Sequence, residues 1–384
     1  MNKKSIKSVV VFLALLTVLS LLMSACAKQP LPPSVESPDN SEDQSQPSST
    51  EPCLTVGIIH VGAVTDAGYN QAHFDGVQEM VKNLPCIKLL EAENIAEGPD
   101  SERVMENMIQ QGAKFIIPAS FGFMDPALNV AAKYPEVKFE HPSGYKLAEN
   151  FGTYWASSND AFYLMGIAAA KMSKNGKIGF VAAQPISIIF SNVNGFHLGA
   201  KSINPDIVTH IVFTGSWSDP AKESSATNAL IDQGVDVVSM VVDSPITVIQ
   251  TAEKRGVFSI GYHSDGAAKF APENWIGGIA FTWGPFFTRS AQSIMDGNWK
   301  SEAIMGDLNS DMIKLAEFGP KVPEDVKLLI EETKMGLING TINSFSGPIY
   351  DQSGTLRVQE GEVIPIDQLS TIDWMVEGII GQDK

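Results

Sequence analysis

The 384-residue chain reads as an α/β protein with two similar Rossmann-like lobes, and three features predict this. Short apolar runs alternate with amphipathic stretches of helix length, which implies parallel sheets covered by helices on both faces. From Leu54 to the C-terminus there are 331 residues, more than one core usually serves. The chain also echoes itself at an offset of 122. There "VGII" (56–59) falls on "IGFV" (178–181), Asn70 on Asn192, Phe74 on Phe196, and "MIQQGAKFI" (108–116) on "LIDQGVDVV" (230–238).

The elements follow in order. "TVGII" (55–59) is the first strand, a helix runs to about Lys82, and "IKLLEA" (87–92) is the second strand. "SERVMENMIQQG" (101–112) sets Val104, Met105, Met108 and Ile109 on one face and stops at Gly112, a helix-end signal. "KFIIPAS", "VKFEHPS", "KIGFVAA", "IVTHIVFTG", "DVVSMVV" and "VFSIGYH" continue the strand series. The first lobe is expected over 54–157 plus about 281–316, the second over 158–280 plus about 317–384. Chain crossings then fall near Ser157–Asn159, Ile279–Thr282 and Asp311–Phe318.

The N-terminal end reads as processing signal and tether. Lys3, Lys4 and Lys7 precede the apolar run Val9 to Met23. Its fifteen residues reach ~22 Å as a helix, short of the ~30 Å hydrocarbon core. This is the pattern of a secretory signal peptide over residues 1–25. Residues 27–52 are rich in Pro, Ser and acids and cannot bury enough surface to order themselves. As a coil, this tether spans roughly 30 Å.

Charge and cysteines narrow the classes. Removing residues 1–25 takes away three lysines and no acid, moving the formal charge from −17 to −20. Nucleic acid and anionic membrane surfaces are therefore poor partners. The six histidines and three cysteines lack zinc-ligand spacing, and nothing in the chain calls for a cofactor. Cys53 and Cys86 each follow a proline and precede an apolar run. If those runs are neighbouring parallel strands, both sulfurs sit at one end of the sheet, and export permits a disulfide; two buried thiols are the alternative.

Open parallel sheets bind ligands at the carboxyl ends of their strands. The first half offers "VGAVTDAGYNQAHFDGV" (61–77) with Asp66, "PASFGFMDP" (118–126) with Ser120 and Phe121, and "FEHPSGY" (139–145) with His141. The second offers "AAQPIS" (182–187), "TGSWSDPAKE" (214–223), "VVDSPIT" (241–247) with Asp243, and "GYHSDG" (261–266) with His263 and Asp265. Asp125-Pro126 and Asp219-Pro220 read as N-caps followed by proline. Tyr69 and Trp217 are flat aromatics just beyond a strand, one per lobe; core packing is the other explanation for either ring. Facing each other, they would clamp a planar ligand. Stacking contributes ~1–3 kcal/mol per face, so two faces fall short of the ~8 kcal/mol of micromolar binding. Asn70 offers a donor and an acceptor to one ring edge.

"TDAGYNQAHFDG", "GSWSDPAKE", "HSD" and "SGPIYDQSG" resemble the basic membrane protein family of ABC-transporter lipoproteins, the purine-nucleoside-receptor type. The likeness runs over 54–380 and implies the type I periplasmic-binding-protein fold. "MSAC" likewise resembles a lipobox, implying cleavage before Cys26, acylation of that residue and anchoring to the outer face of a bacterial cell membrane. The family resemblance implies capture of a purine by a monomer and delivery to an ABC permease. Tyr69 and Trp217 stand where the family has two opposed Phe residues, and Asn70 where its base-reading Asn stands. His263 replaces the first acid of an Asp-Ser-Asp motif expected to hold ribose hydroxyls. "FEHPSGY" lacks the usual Asp, leaving base-edge contacts to His141 or Ser143, and Trp283 in "FTWGPFF" (281–287) would shrink the sugar space. These departures favour a free base, adenine or hypoxanthine-like, over a nucleoside.

No HExxH, P-loop or nucleophile elbow is present. His263, Ser264 and Asp265 are consecutive, whereas triads converge through the fold. The chain is therefore read as a binding protein and not an enzyme, with a nucleoside hydrolase as the enzymatic rival. A ligand-sensing lipoprotein acting on a membrane receptor is the other alternative.

Overall fold

Strands form where the apolar runs are. β1 (Leu54–His60) is buried at every position, as a central parallel strand covered on both faces should be. The computed structural model describes residues 51–381; the signal segment, Cys26 and the tether up to residue 50 lie outside the described residues. After β1 come β2 (Ile87–Ala92), β3 (Phe115–Ala119), β4 (Lys138–Pro142) and β5 (Phe151–Ala156). Then come β6 (Lys177–Ala182), β7 (Val208–Phe213), β8 (Val237–Val241), β9 (Phe258–His263) and β10 (Trp275–Phe281). Short strands follow: β11 (Ala303–Gly306), β12 (Ile313–Leu315), the hairpin β13 (Ile349–Tyr350) and β14 (Leu356–Val358), and β15 (Ile379–Ile380).

The two large sheets repeat one topology. Their orders are β11-β5-β4-β3-β1-β2 and β12-β10-β9-β8-β6-β7-β15. Without the late edge strands, the second is the first advanced by five strands, and only β12 pairs antiparallel. Helices α1 (Tyr69–Asn83), α2 (Pro99–Gln110) and α3 (Met124–Lys133) connect the first sheet. α4 (Asn159–Met172), α5 (Ser187–Ile203), α6 (Pro220–Asp232) and α7 (Ile246–Lys254) serve the second. The chain leaves the first sheet at 157–158 and comes back through α8 (Trp283–Met295), which packs on α1. It then adds β11 and recrosses at 307–312 before α9 (Glu324–Ile338). That last crossing is earlier than the sequence boundary near 316, because Ile313–Leu315 is already bonded to β10 in the second sheet.

Two close approaches fix this framework. α4 and α5 cross where a Cβ on Gly166 would fall 1.9 Å from the Phe196 carbonyl oxygen, and one on Gly199 1.9 Å from that of Tyr163. Only glycine lets the two backbones meet there. Cys53 and Cys86 are disulfide-bonded, Cα atoms 5.4 Å apart, beside the Leu54–Ile87 register pair at the amino ends of β1 and β2. The opposite, carboxyl ends of the strands carry the site. Among the described residues, no helix is long and apolar enough to cross a membrane.

Candidate functional site

A cavity of about 1140 Å³ lies between the carboxyl ends of the two sheets. Its walls are the segments following β1, β2, β3 and β4 with the end of β5 on one side, and those following β6, β7 and β8 with the end of β9 on the other. The halves touch at its floor. Tyr69 N–H donates to the Asp243 carbonyl at 2.9 Å, and Ser244 Oγ donates to the Asp66 carbonyl at 3.0 Å. A Cβ on Gly68 would lie 1.9 Å from the Asp243 oxygen, so this contact requires glycine.

Asp66 organises the first wall. Its Oδ1 accepts from Gly68 N (2.8 Å) and Gln71 N (3.0 Å), and its Oδ2 from Asn70 N (3.0 Å) and Asn70 Nδ2 (2.8 Å). These bonds satisfy first-turn N–H groups that a helix leaves open. They also set the Asn70 amide, whose Oδ1 accepts Gly62 N–H at 3.1 Å. Nitrogen and oxygen of that amide are thereby fixed, and one N–H and one lone pair remain for a ligand. Tyr69 opens α1 at 8% exposure, ring against His73 (4.6 Å) and edge-on to His263 (5.5 Å). Its hydroxyl makes no hydrogen bond among the described residues, and burial raises its pKa well above the usual value.

Trp217 stands on the second wall at 40% exposure, in a loop held by Thr214 Oγ1 donating to the Ser216 carbonyl at 2.8 Å. Tyr69 and Trp217 thus face one cavity from separate halves. Asp219 caps α6 by accepting Lys222 N–H at 3.1 Å. Asp125 is no cap, since α3 already begins at Met124; its carboxylate pairs with Lys146.

Three carboxyl groups line the cavity, and among the described residues no lysine or arginine does. Asp66 is fully engaged, and Glu97 Oε1 accepts Ser120 Oγ at 2.6 Å. Asp243 has no such partner among the described residues; burial, then Asp66, Glu223 and Glu97, push it up to about 8. His263 ends β9 with φ 79°, a left-handed conformation rare for a residue with a Cβ. Both its ring nitrogens lack partners among the described residues, and burial lowers its pKa to about 3, so the ring is neutral.

Ser120 and Phe121 join Asp66, Tyr69, Asn70, Trp217, Asp243 and His263 at the cavity. Three expected residues do not. His141 is buried, its ring 5.8 Å from that of Phe151 on the side of the Phe139–Phe151 cluster. Asp265 follows the turn at His263 outward and pairs with Lys314 at 2.6 Å. Trp283 is wholly buried one layer behind, stacked on Phe281 (4.9 Å) and His73 (5.5 Å), so it does not narrow the cavity. His263, Ser264 and Asp265 diverge: Ser264 Oγ accepts Gly266 N–H, and the acid faces Lys314. Sequence reasoning missed Glu97, Trp155 and Tyr262, and Asn192 carried a signal as the echo of Asn70.

Comparison with known proteins agrees with this arrangement. A purine-binding protein of Brucella abortus is 39% identical over 85% of this chain and 93% of its own. TsgA13 of Haloferax volcanii, proposed as an ABC transporter glucose-binding protein, is 31% identical over 80% of this chain and 78% of its own. The solved solute-binding protein of an ABC transporter system from Conexibacter woesei superposes with a TM-score of 0.65 at 20% identity, covering 76% of this chain and 98% of that one. The family described as ABC transporter substrate-binding protein PnrA-like matches residues 53–344. The chain belongs to that family, whose members are not enzymes but ABC-transporter substrate-binding proteins that take up a small ligand outside the cytoplasm and deliver it to a permease.

Proposed function

We propose that this protein captures a purine in the cavity, a free base such as adenine or hypoxanthine in preference to a nucleoside, for import by its ABC permease. The observation that carries this reading is the pair Tyr69 and Trp217, one ring from each half, lining a single cavity beside the fixed amide of Asn70. Stacking on two faces contributes ~2–6 kcal/mol, and edge hydrogen bonds with closure of the halves add the rest. Among the described residues no lysine or arginine lines the cavity to pair with a phosphate group, which disfavours nucleotides. The relative named as purine-binding supports the same ligand class.

Base over nucleoside rests on His263, a neutral ring where an acid would hold ribose hydroxyls. Trp283 no longer contributes to that choice, being outside the cavity. Lipid attachment at Cys26, with the acidic tether, would hold the monomer at the outer membrane face beside the permease. Mass spectrometry of the small molecule that co-purifies tests the ligand class. Calorimetry with adenine, hypoxanthine, adenosine, inosine and glucose then ranks them. Tightest binding by glucose, or none by any purine, would remove the reading. Labelling with radioactive palmitate, lost on Cys26→Ala, tests the anchor.

A further inference from the structure

Asp243 is tied to both candidate stacking residues. Its N–H donates to the Trp217 carbonyl at 2.8 Å, and its own carbonyl accepts Tyr69 N–H at 2.9 Å. Its side chain meanwhile lines the cavity without a hydrogen-bond partner among the described residues, whereas Asp66 and Glu97 are both engaged. Two buried polar side chains at the same cavity, the Tyr69 hydroxyl and the His263 ring, also lack partners among the described residues, which marks the cavity as built for a ligand.

We propose that Asp243 reads the ligand's edge as a neutral carboxylic acid, one O–H donor and one C=O acceptor, so that the cavity accepts 6-amino- and 6-oxopurines alike. This rests on the purine reading above. The proton can sit on either oxygen. The acid can therefore donate to N1 and accept from the amino group of a 6-aminopurine, or accept from N1–H and donate to the oxygen of a 6-oxopurine. An ionised carboxylate accepts only and matches neither edge fully. The surroundings hold the proton on: Asp66 and Glu97 approach from the first half and Glu223 from α6, while Tyr69, Tyr262 and the neutral His263 add no cation. The free group sits at about 8 for that reason.

Calorimetry in buffers of differing ionisation enthalpy tests this with adenine, which is uncharged across the range used. Near pH 8 the wild-type protein should take up about half a proton per adenine bound, and almost none near pH 6. Asp243→Asn should abolish the uptake. Asp243→Leu should weaken adenine and hypoxanthine together, by about tenfold or more. Tight adenine binding without proton uptake near pH 8 overturns the proposal, as does the same uptake in Asp243→Asn. Binding of only one of the two purines to wild-type protein near pH 6 overturns this proposal alone, whereas failure of both to bind overturns the purine reading and the proposal with it.

Discussion

The two halves share one strand order but present unlike walls to the cavity. The first is pre-set: Asp66 closes the start of α1 and fixes Asn70, and Tyr69 is pressed to 8% exposure. The second leaves Trp217 at 40% exposure and, among the described residues, the Asp243 carboxyl and both His263 ring nitrogens without a partner. α5, the counterpart of α1, starts without any side-chain cap. A duplicated topology therefore guarantees where ligand-facing residues stand, not what they do. One half supplies a template, and the other adapts to what the template holds.

The largest expected effect comes from parting the two walls. Gly68→Ala places a carbon against the Asp243 oxygen, where backbone faces backbone and neither can swing aside. Ligand binding should fall by about 100-fold or more, since closing the halves would lose roughly 3 kcal/mol. Calorimetry measures the loss and small-angle scattering the expected opening. Unchanged affinity would show that this contact does not govern closure. A smaller effect is expected on the adaptable side: Trp217→Ala should weaken binding by about tenfold or more while leaving the unliganded melting temperature nearly unchanged, because the ring is 40% exposed and has no aromatic neighbour among the described residues. Wild-type affinity in that variant would place the ring outside the site.

Legibility followed the same division. Strand-end logic located Asp66, Tyr69, Asn70, Ser120 and Phe121 in the first half and Trp217, Asp243 and His263 in the second, because parallel strands carry their loops to one end. It failed where one residue's direction mattered. His141 and Ser143 lie two residues apart at the end of β4, yet only Ser143 reaches the cavity, after a turn at φ 54° that no local pattern announces. Trp283 is expected to shrink the sugar space as one of the bulky rings of "FTWGPFF", but it opens a helix that packs on α1. Glu97 sits in a loop of ordinary composition and became visible only through its bond to Ser120, 23 residues away. The asymmetry of the halves was unreadable for a related reason: hydrogen-bond satisfaction belongs to pairs of residues, not to positions.

The edges of the sheets differ too. The first sheet ties its edge strand β2 to β1 with the Cys53–Cys86 bridge, whereas the second covers β7 with β15. The bridge spans 33 residues, for which loop entropy gives about 3–4 kcal/mol. Reduction, or Cys53→Ala with Cys86→Ala, should lower stability by about that much in urea unfolding. Ligand affinity should persist, because the bridge is at the amino ends of the strands, opposite the cavity. Loss of affinity at full folding would instead couple that end to the site.

The subtlest difference should emerge from pH. Burial holds His60, His73 and His141 in the first half, and His197 and His263 in the second, at about 3 to 4, below the ordinary 6.5. Between those values the unfolded chain binds more protons, so their contribution is complete above 6.5 and lost as pH falls. Glu140 and Asp243 are shifted the other way, to about 8. Their contribution is complete below ordinary carboxyl values and lost as pH rises through 8. Smaller shifts join each arm, His210 downward and Asp75, Glu91, Asp160 and Glu223 upward, and the melting temperature should peak near neutral pH and decline on both sides. Ligand separates the two carboxyls. Glu140 is held behind the sheet by Trp299 Nε1 at 2.8 Å and cannot meet it, whereas Asp243 lines the cavity. Saturating adenine should therefore carry part of the alkaline decline to higher pH, and Glu140→Gln should remove the part that adenine does not move. An alkaline arm that responds to Glu140→Gln alone would mean that Asp243 does not titrate as its surroundings require.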